Sequence, residues 1–199
     1  MLHALPYPNA SRCALLMPAG SGTLAASRAL GQYHTHHLLP KAPCYLLLLR
    51  APDERLESGV RYELLDPLHG RRRLTRGFDN VSALVRALRA RQPRALHLWR
   101  LSQSKVSPGT DGSFFLTPAT LYLHRVVPAP VVVLCHARLA TDLAALGVHA
   151  SSKEHQRRAY APASVLARST LAPEERAWMR SWAARDVALV RAWCATSIA

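Results

Sequence analysis

The sequence predicts an α/β protein with a parallel sheet. Three short apolar runs, at residues 13–17, 45–49 and 131–135, are separated by longer segments that are compatible with helices. This order is typical of parallel sheets with helices on both faces, because parallel strands need long crossover connections. A chain of 199 residues is also long enough to bury one sizeable core. We therefore expect residues 1–199 to form a single domain in which the three runs are adjacent strands.

The first apolar run leads into a loop rich in proline, glycine and serine, and then into a helix-compatible segment that ends near residue 30. Such a loop exposes backbone N–H groups at a helix N-terminus, where the helix dipole also favours an anion. It is not a Walker A loop, because the G-K-[ST] ending is missing. The candidate anion-binding residues of this loop are Ala19, Gly20, Ser21, Gly22 and Thr23.

The second apolar run ends at Arg50. Pro52 follows, and a helix is predicted for residues 53–63, with Ser58 eight residues after Arg50. The planar fork of an arginine matches phosphate oxygens, and ligands of open parallel sheets bind outside the carboxyl ends of the strands. We therefore predict that Arg50 and Ser58 hold a phosphate group. The alternative is a buried strand followed by a solvated, charged helix.

The centre of the chain carries an amphipathic pattern at residues 79–92 that predicts a helix capped by Asp79 or Asn80. The polar, turn-rich residues 101–112 predict a mobile surface loop, of the kind that often lies over a binding site.

The third apolar run is followed by a predicted helix at residues 136–148, with Gly147 as the residue that ends it. Residues 171–194 predict one long helix, with Pro173 near its start.

Several of these motifs resemble sulfotransferases that use 3′-phosphoadenosine 5′-phosphosulfate (PAPS), and in particular those that act on carbohydrates. The residues that match the family's segment for the 3′-phosphate are Arg50, Pro52, Arg55 and Ser58. Those that match its loop for the 5′-phosphosulfate are Pro18, Gly22 and Thr23. Later matches are Pro118, Tyr122, Leu123, Leu139, Asp142, Leu143, Leu146, Gly147, Asp186 and Leu189. The resemblance spans about residues 13–194.

The resemblance implies a three-layer sandwich with a central parallel sheet, related in architecture to the P-loop nucleotide kinases. It implies transfer of a sulfuryl group from PAPS, as co-substrate, to a carbohydrate hydroxyl. The loop at residues 19–23 then holds the 5′-phosphosulfate, and Arg50 with Ser58 holds the 3′-phosphate. His36 or His37 is then expected to accept the proton of the acceptor hydroxyl, since histidine suits proton transfer near neutral pH; the alternative is a cluster of surface histidines without this role.

The chain departs from the family at three positions. Ala19 stands where the family has the loop lysine, Ala51 replaces an aspartate and Ala137 replaces a glutamate. These three alanines favour an alternative function, in which a pseudoenzyme binds PAPS, its product 3′-phosphoadenosine 5′-phosphate (PAP), or a sulfated glycan without turnover.

The formal net charge of +14 predicts an anionic partner. PAPS and anionic glycans both fit this expectation. A second alternative is an arginine-rich protein that binds nucleic acid, but the chain has no RNA-binding aromatic motif and no zinc-finger spacing to favour it. The densest basic run, at residues 70–76, is interpreted as a solvated loop.

The remaining sequence signals concern cysteine, metal and membrane. The four cysteines are widely spaced, so we expect buried small side chains, not disulfides or metal ligands. His34, His36 and His37 have no further ligands placed near them by sequence, so no metal site is predicted. The absence of a long apolar run and of a signal-peptide pattern favours a soluble, cytoplasmic protein over a secreted one.

Overall fold

A computed structural model describes residues 13–16, 43–65, 77–104, 118–120, 130–148 and 161–194. Its strands and helices, in chain order, are β1 (Ala14–Leu16), β2 (Tyr45–Leu49), α1 (Pro52–Leu65), α2 (Val81–Arg89), α3 (Pro93–Ser104), β3 (Val131–Cys135), α4 (Leu139–Ala145), α5 (Ala163–Ser169), α6 (Pro173–Trp182) and α7 (Ala184–Cys194). A 3₁₀ turn, His136–Arg138, joins β3 to α4. The fold of this part of the chain is α/β.

The described sheet has three strands in the order β1-β2-β3, and both strand pairs are parallel. Leu16 of β1 is paired with Leu47, and Cys135 of β3 with Leu49, so the strands run side by side in close register. The predicted adjacency of the three apolar runs is confirmed. The bounds of β2 and β3 agree with the prediction, whereas β1 is shorter and begins after Cys13.

The middle strand, β2, is buried on both faces, which explains why its sequence shows no polar alternation. Leu46 and Leu48 pack toward α4, in a cluster that includes Leu143. Leu47 and Leu49 belong to a second cluster on the opposite face, against which side chains of α7 pack. Helices therefore cover both faces of the described sheet.

A third apolar cluster holds the helices α1, α2, α3 and α6 together. Its buried residues are Leu56, Val60, Phe78, Val81, Leu84, Val85, Ala87, Leu88, Ala95, Leu98, Leu171 and Met179. The predicted amphipathic helix is α2, and of its two candidate N-caps Asn80 is the one that caps it: the Asn80 Oδ1 atom accepts a hydrogen bond from the backbone N–H of Ala83 at 2.7 Å. Gly147 has φ +72°, as expected of the residue that ends a helix.

Three predicted segments differ from the structure. The expected single helix at residues 171–194 is two helices, separated at Ala183, because α6 packs into the helical cluster through Met179 while α7 packs on the sheet through Leu189. The predicted loop at residues 101–112 begins with the last turn of α3, which ends at Ser104; residues 105–112 lie outside the described ranges. The helix predicted at residues 136–148 begins as a 3₁₀ turn and is helical to Ala145.

The expectation of unpaired cysteines was wrong. Disulfides join Cys13 to Cys44 and Cys135 to Cys194, with Cα separations of 4.6 and 5.7 Å. Cys13 and Cys44 precede residues that are paired across β1 and β2, so parallel strand pairing brings together two cysteines that are 31 residues apart. Cys135 ends β3 and Cys194 ends α7, so packing of that helix on the sheet makes the second pair. Spacing along the chain does not show either proximity.

Among the described helices, none combines the length and the apolar character that crossing a lipid bilayer requires.

Candidate functional site

The sequence predicts a phosphate site at the carboxyl edge of the sheet. β1 and β2 are parallel neighbours, so the chain leaves both strands at this edge, after Leu16 and after Leu49 respectively. Arg50 is the first residue beyond β2. The predicted loop residues Ala19, Gly20, Ser21, Gly22 and Thr23 lie outside the described residues, as do His36 and His37.

Arg50 is mostly buried, with a side chain that is 13% exposed. Its Nε atom lies 3.5 Å from Oε2 of Glu54, the residue one helical turn further along. Glu54 is more exposed, at 39% of its side chain, so an anionic ligand that approached Arg50 would compete with a solvated carboxylate. Sequence reasoning did not identify Glu54, although its i,i+4 spacing from Arg50 is a recognisable signal.

Ser58 lies on the same helical face as Glu54, one further turn along α1. Four residues of helix span about 6 Å along its axis, so Glu54 separates the two predicted phosphate ligands. Ser58 is buried to 9% exposure. Ser58 thus follows Arg50 by eight positions, and the acidic Glu54, which contacts Arg50, lies midway between them in sequence.

Arg55, another residue of the same motif, points to a different part of the molecule. It is 2% exposed, and its Nη2 atom donates a hydrogen bond to Oδ2 of Asp186 at 3.0 Å. Asp186 also accepts hydrogen bonds from the backbone N–H groups of Ala119, at 2.9 Å, and Thr120, at 3.3 Å. A buried ion pair therefore joins α1, α7 and residues 118–120, across 131 positions of sequence between Arg55 and Asp186.

A second charged contact joins α1 to α6. Asp53, which is fully buried, accepts a hydrogen bond from Nε of Arg180 at 2.9 Å. One turn along both helices, Glu57 accepts a hydrogen bond from Nη2 of Arg176 at 2.7 Å. The hydrogen bond to Asp53, followed by the charge of Asp53, raises the pKa of Arg180 above its ordinary value. The two acids are four residues apart in α1, and the two arginines are four residues apart in α6, but the sequence does not show that these helices pack together.

The described ranges contain no group of three or more His, Cys, Asp or Glu side chains that could hold a metal ion. The polar groups predicted to bind a phosphate are instead the partly buried guanidinium of Arg50 and, further along α1, the buried hydroxyl of Ser58. That donor set suits a phosphate or sulfate group better than a metal ion.

Comparison of the chain with protein-family models, with curated proteins and with solved structures finds no match. The function therefore has to follow from the residues of this chain and from their arrangement.

Proposed function

We propose that this chain binds PAPS and transfers its sulfuryl group to a hydroxyl, with a carbohydrate as acceptor. The observation that best supports the proposal is the parallel pairing of β1 with β2. It makes the chain leave β1 at the same sheet edge at which Arg50 follows β2, and neighbouring strands lie only about 4.8 Å apart. PAPS carries anionic groups on both the 3′ and the 5′ oxygen of one ribose, so two anion sites at neighbouring strand ends suit it.

In this proposal, backbone N–H groups of residues 19–23 hold the 5′-phosphosulfate, and Arg50 with Ser58 holds the 3′-phosphate. His36 or His37 accepts the hydroxyl proton of the acceptor. The proposed fold is a three-layer sandwich of the sulfotransferase type, with α4 and α7 on opposite faces of the sheet. The burial of β2 on both faces supports such layering.

The contact between Arg55 and Asp186 also supports the proposal. Both positions match the sulfotransferase pattern in sequence, and they meet in space although they belong to separate motifs. The ion pair anchors the first turn of α1 to α7, and Arg50 lies directly before that turn. Two matching positions that depend on one another are a more specific signal than either motif alone.

Because Ala19 stands in place of the family's loop lysine, we expect a low rate of sulfuryl transfer. A preorganised donor to the developing charge contributes about 10²–10³-fold in rate, and alanine supplies none from its side chain. We therefore expect slow transfer, and binding of PAP without transfer is the outcome that would identify a pseudoenzyme.

We also propose that the protein functions in an oxidising compartment. Structural disulfides persist in secreted and lumenal proteins and are rare in the reducing cytoplasm. The two disulfides thus favour a lumenal or extracellular site over the cytoplasmic one that the sequence favours.

The decisive experiment titrates PAP into the protein and follows its thermal unfolding. A ligand at 100 times its dissociation constant stabilises the native state by about 2.7 kcal/mol. Transfer of radiolabelled sulfate from PAPS to a panel of glycans then tests catalysis. Absence of any stabilisation by PAP would remove the PAPS proposal and leave nucleic acid as the partner to test.

Arg50→Ala locates the nucleotide site. We expect it to weaken PAP binding by about tenfold or more, since a hydrogen bond to a charged group contributes roughly 1.5–3 kcal/mol. Arg89→Ala removes an exposed arginine from α2 and serves as the matched control. Glu54→Gln removes the competing carboxylate and should tighten PAP binding. Equal affinities in the Arg50→Ala and Arg89→Ala variants would contradict the site.

A further inference from the structure

A cleft of about 330 Å³ lies where α1, α3 and the junction of α6 with α7 meet. Its walls include Pro52 and Arg55 of α1, Trp99 of α3, and Trp182 and Arg185 from either side of the helix junction. The cleft includes neither Arg50 nor Ser58, although its residues Pro52 and Arg55 belong to the same sequence motif, so the inference below does not require PAPS binding.

Three nitrogen atoms of the cleft residues carry unused hydrogen-bond donors. The Nε and Nη1 atoms of Arg55 and the Nε1 atom of Trp182 are buried, and they have no acceptor among the described residues. Arg55 itself is 2% exposed. All three nitrogens can only donate, so whatever complements them must supply acceptor oxygens. Buried donors are rarely left unpaired, which makes this group of atoms informative.

Asp186 does not supply those acceptors. Its Oδ2 atom already accepts from Nη2 of Arg55 and from the N–H of Ala119, and its Oδ1 atom accepts from the N–H and hydroxyl of Thr120. The charges of Arg55 and Asp186 offset one another, and the exposed Arg185 adds one positive charge at the rim. The described residues that line the cleft therefore carry a single net positive charge.

Apart from Thr120, the remaining side chains that line the cleft are apolar or aromatic. Trp99 and Trp182 meet edge to face, with ring centroids 5.6 Å apart, and Met179 with Pro52 completes the apolar wall. Such a wall favours a flat hydrocarbon body over a hydrated sugar phosphate or a free inorganic anion.

We propose that this cleft binds a small aromatic carboxylate. The carboxylate supplies the acceptor oxygens that Arg55 and Trp182 lack, its single charge balances Arg185, and the ring lies against the tryptophans. The unused donors expose almost no surface in this conformation, so binding requires a local side-chain rearrangement at the cleft wall.

The test uses benzoate as the probe and records the indole N–H resonances of the four tryptophans by NMR. We expect the Trp182 resonance, assigned by its loss in Trp182→Phe, to shift and saturate, whereas the Trp193 resonance stays in place. Benzamide has the same ring without the charge, and we expect it to bind at least tenfold more weakly. Benzoate should bind equally well with PAP present at saturation.

Trp182→Phe keeps an aromatic ring and removes the donor, so benzoate affinity should fall by about fivefold to tenfold. Trp178→Phe is the matched control, because Trp178 packs on Trp182 but does not line the cleft. Arg185→Gln should weaken benzoate binding by about twofold to threefold, whereas Arg191→Gln, on the last turn of α7, should leave it unchanged. These variants avoid Arg55, whose loss threatens folding.

Two results would overturn the proposal. One is the absence of a saturable Trp182 shift at any soluble benzoate concentration, which would mean that water satisfies the donors. The other is an equal response to benzoate in Trp182→Phe and in Trp178→Phe, which would mean that benzoate binds elsewhere.

Discussion

β2 and α1 are consecutive in the chain and both bury side chains, β2 throughout and α1 mainly in its first half, yet they are held in place by different forces. All five residues of β2 are buried, and every one packs in an apolar cluster. α1 buries charged side chains beside apolar ones, and each buried charge has its partner on a distant helix. Hydrophobic burial is non-directional and tolerates a substitution of similar volume, whereas a buried charge depends on one particular partner.

The difference bears on the proposed site, because Arg50 lies at the junction of the two elements. β2 determines the position of the Arg50 backbone through the sheet. α1 determines which way the chain turns after it, through contacts with α6 and α7. We therefore expect the site to fail when the charged contacts of α1 are broken, even if the sheet stays intact.

The largest effect is expected from Asp186→Ala. The substitution leaves Arg55 buried without its counter-ion and removes the acceptor for two backbone N–H groups. Breaking a buried pair by removing one partner costs about 3–5 kcal/mol. Chemical denaturation should show this loss, and Asp186→Asn, which keeps the shape, should recover little of it. A stable Asp186→Ala protein would mean that the charge partner is not what holds α1.

The next largest effect is expected in β2. Leu47 is fully buried on the face of the sheet toward α7, and truncation of a buried leucine costs about 2–5 kcal/mol. Leu47→Met keeps the volume and should cost less than about 1.5 kcal/mol. A conservative substitution should therefore preserve most of the stability at Leu47, whereas at Asp186 it should not. Comparable losses in Leu47→Met and Leu47→Ala would contradict it.

The smallest losses of stability are expected from substitution of two arginines that pair with acids of the helices, Arg180 and Arg86. Arg180→Ala leaves the fully buried Asp53 with only the more distant Arg176, at 3.8 Å, and should cost about 1–3 kcal/mol. Arg86→Ala removes a side chain that is 65% exposed and should cost less than about 1 kcal/mol, although Arg86 also pairs with a carboxylate. Equal losses in urea denaturation of the two variants would show that burial of the acid does not set the cost.

The sequence by itself determined what depends on a few neighbouring residues. The bounds of β2 and β3 follow from uninterrupted apolar runs, the start of α2 from the capping residues Asp79 and Asn80, and the end of α4 from Gly147. The adjacency of the strands also followed, since alternating strands and helices allow few arrangements. The loop at residues 19–23 and the histidines His36 and His37 stay predictions.

Tertiary structure alone decided the contacts between distant residues. Examples are the two disulfides and the pairing of Arg55 with Asp186, which join distant segments, and the separation of α6 from α7. Each of them depends on which elements pack together. Local sequence patterns do not identify such partners, because a cysteine or arginine has the same sequence neighbours whether or not its partner is close in space. Packing brought the partners together, and the low dielectric constant of the interior strengthens the interaction between their charges.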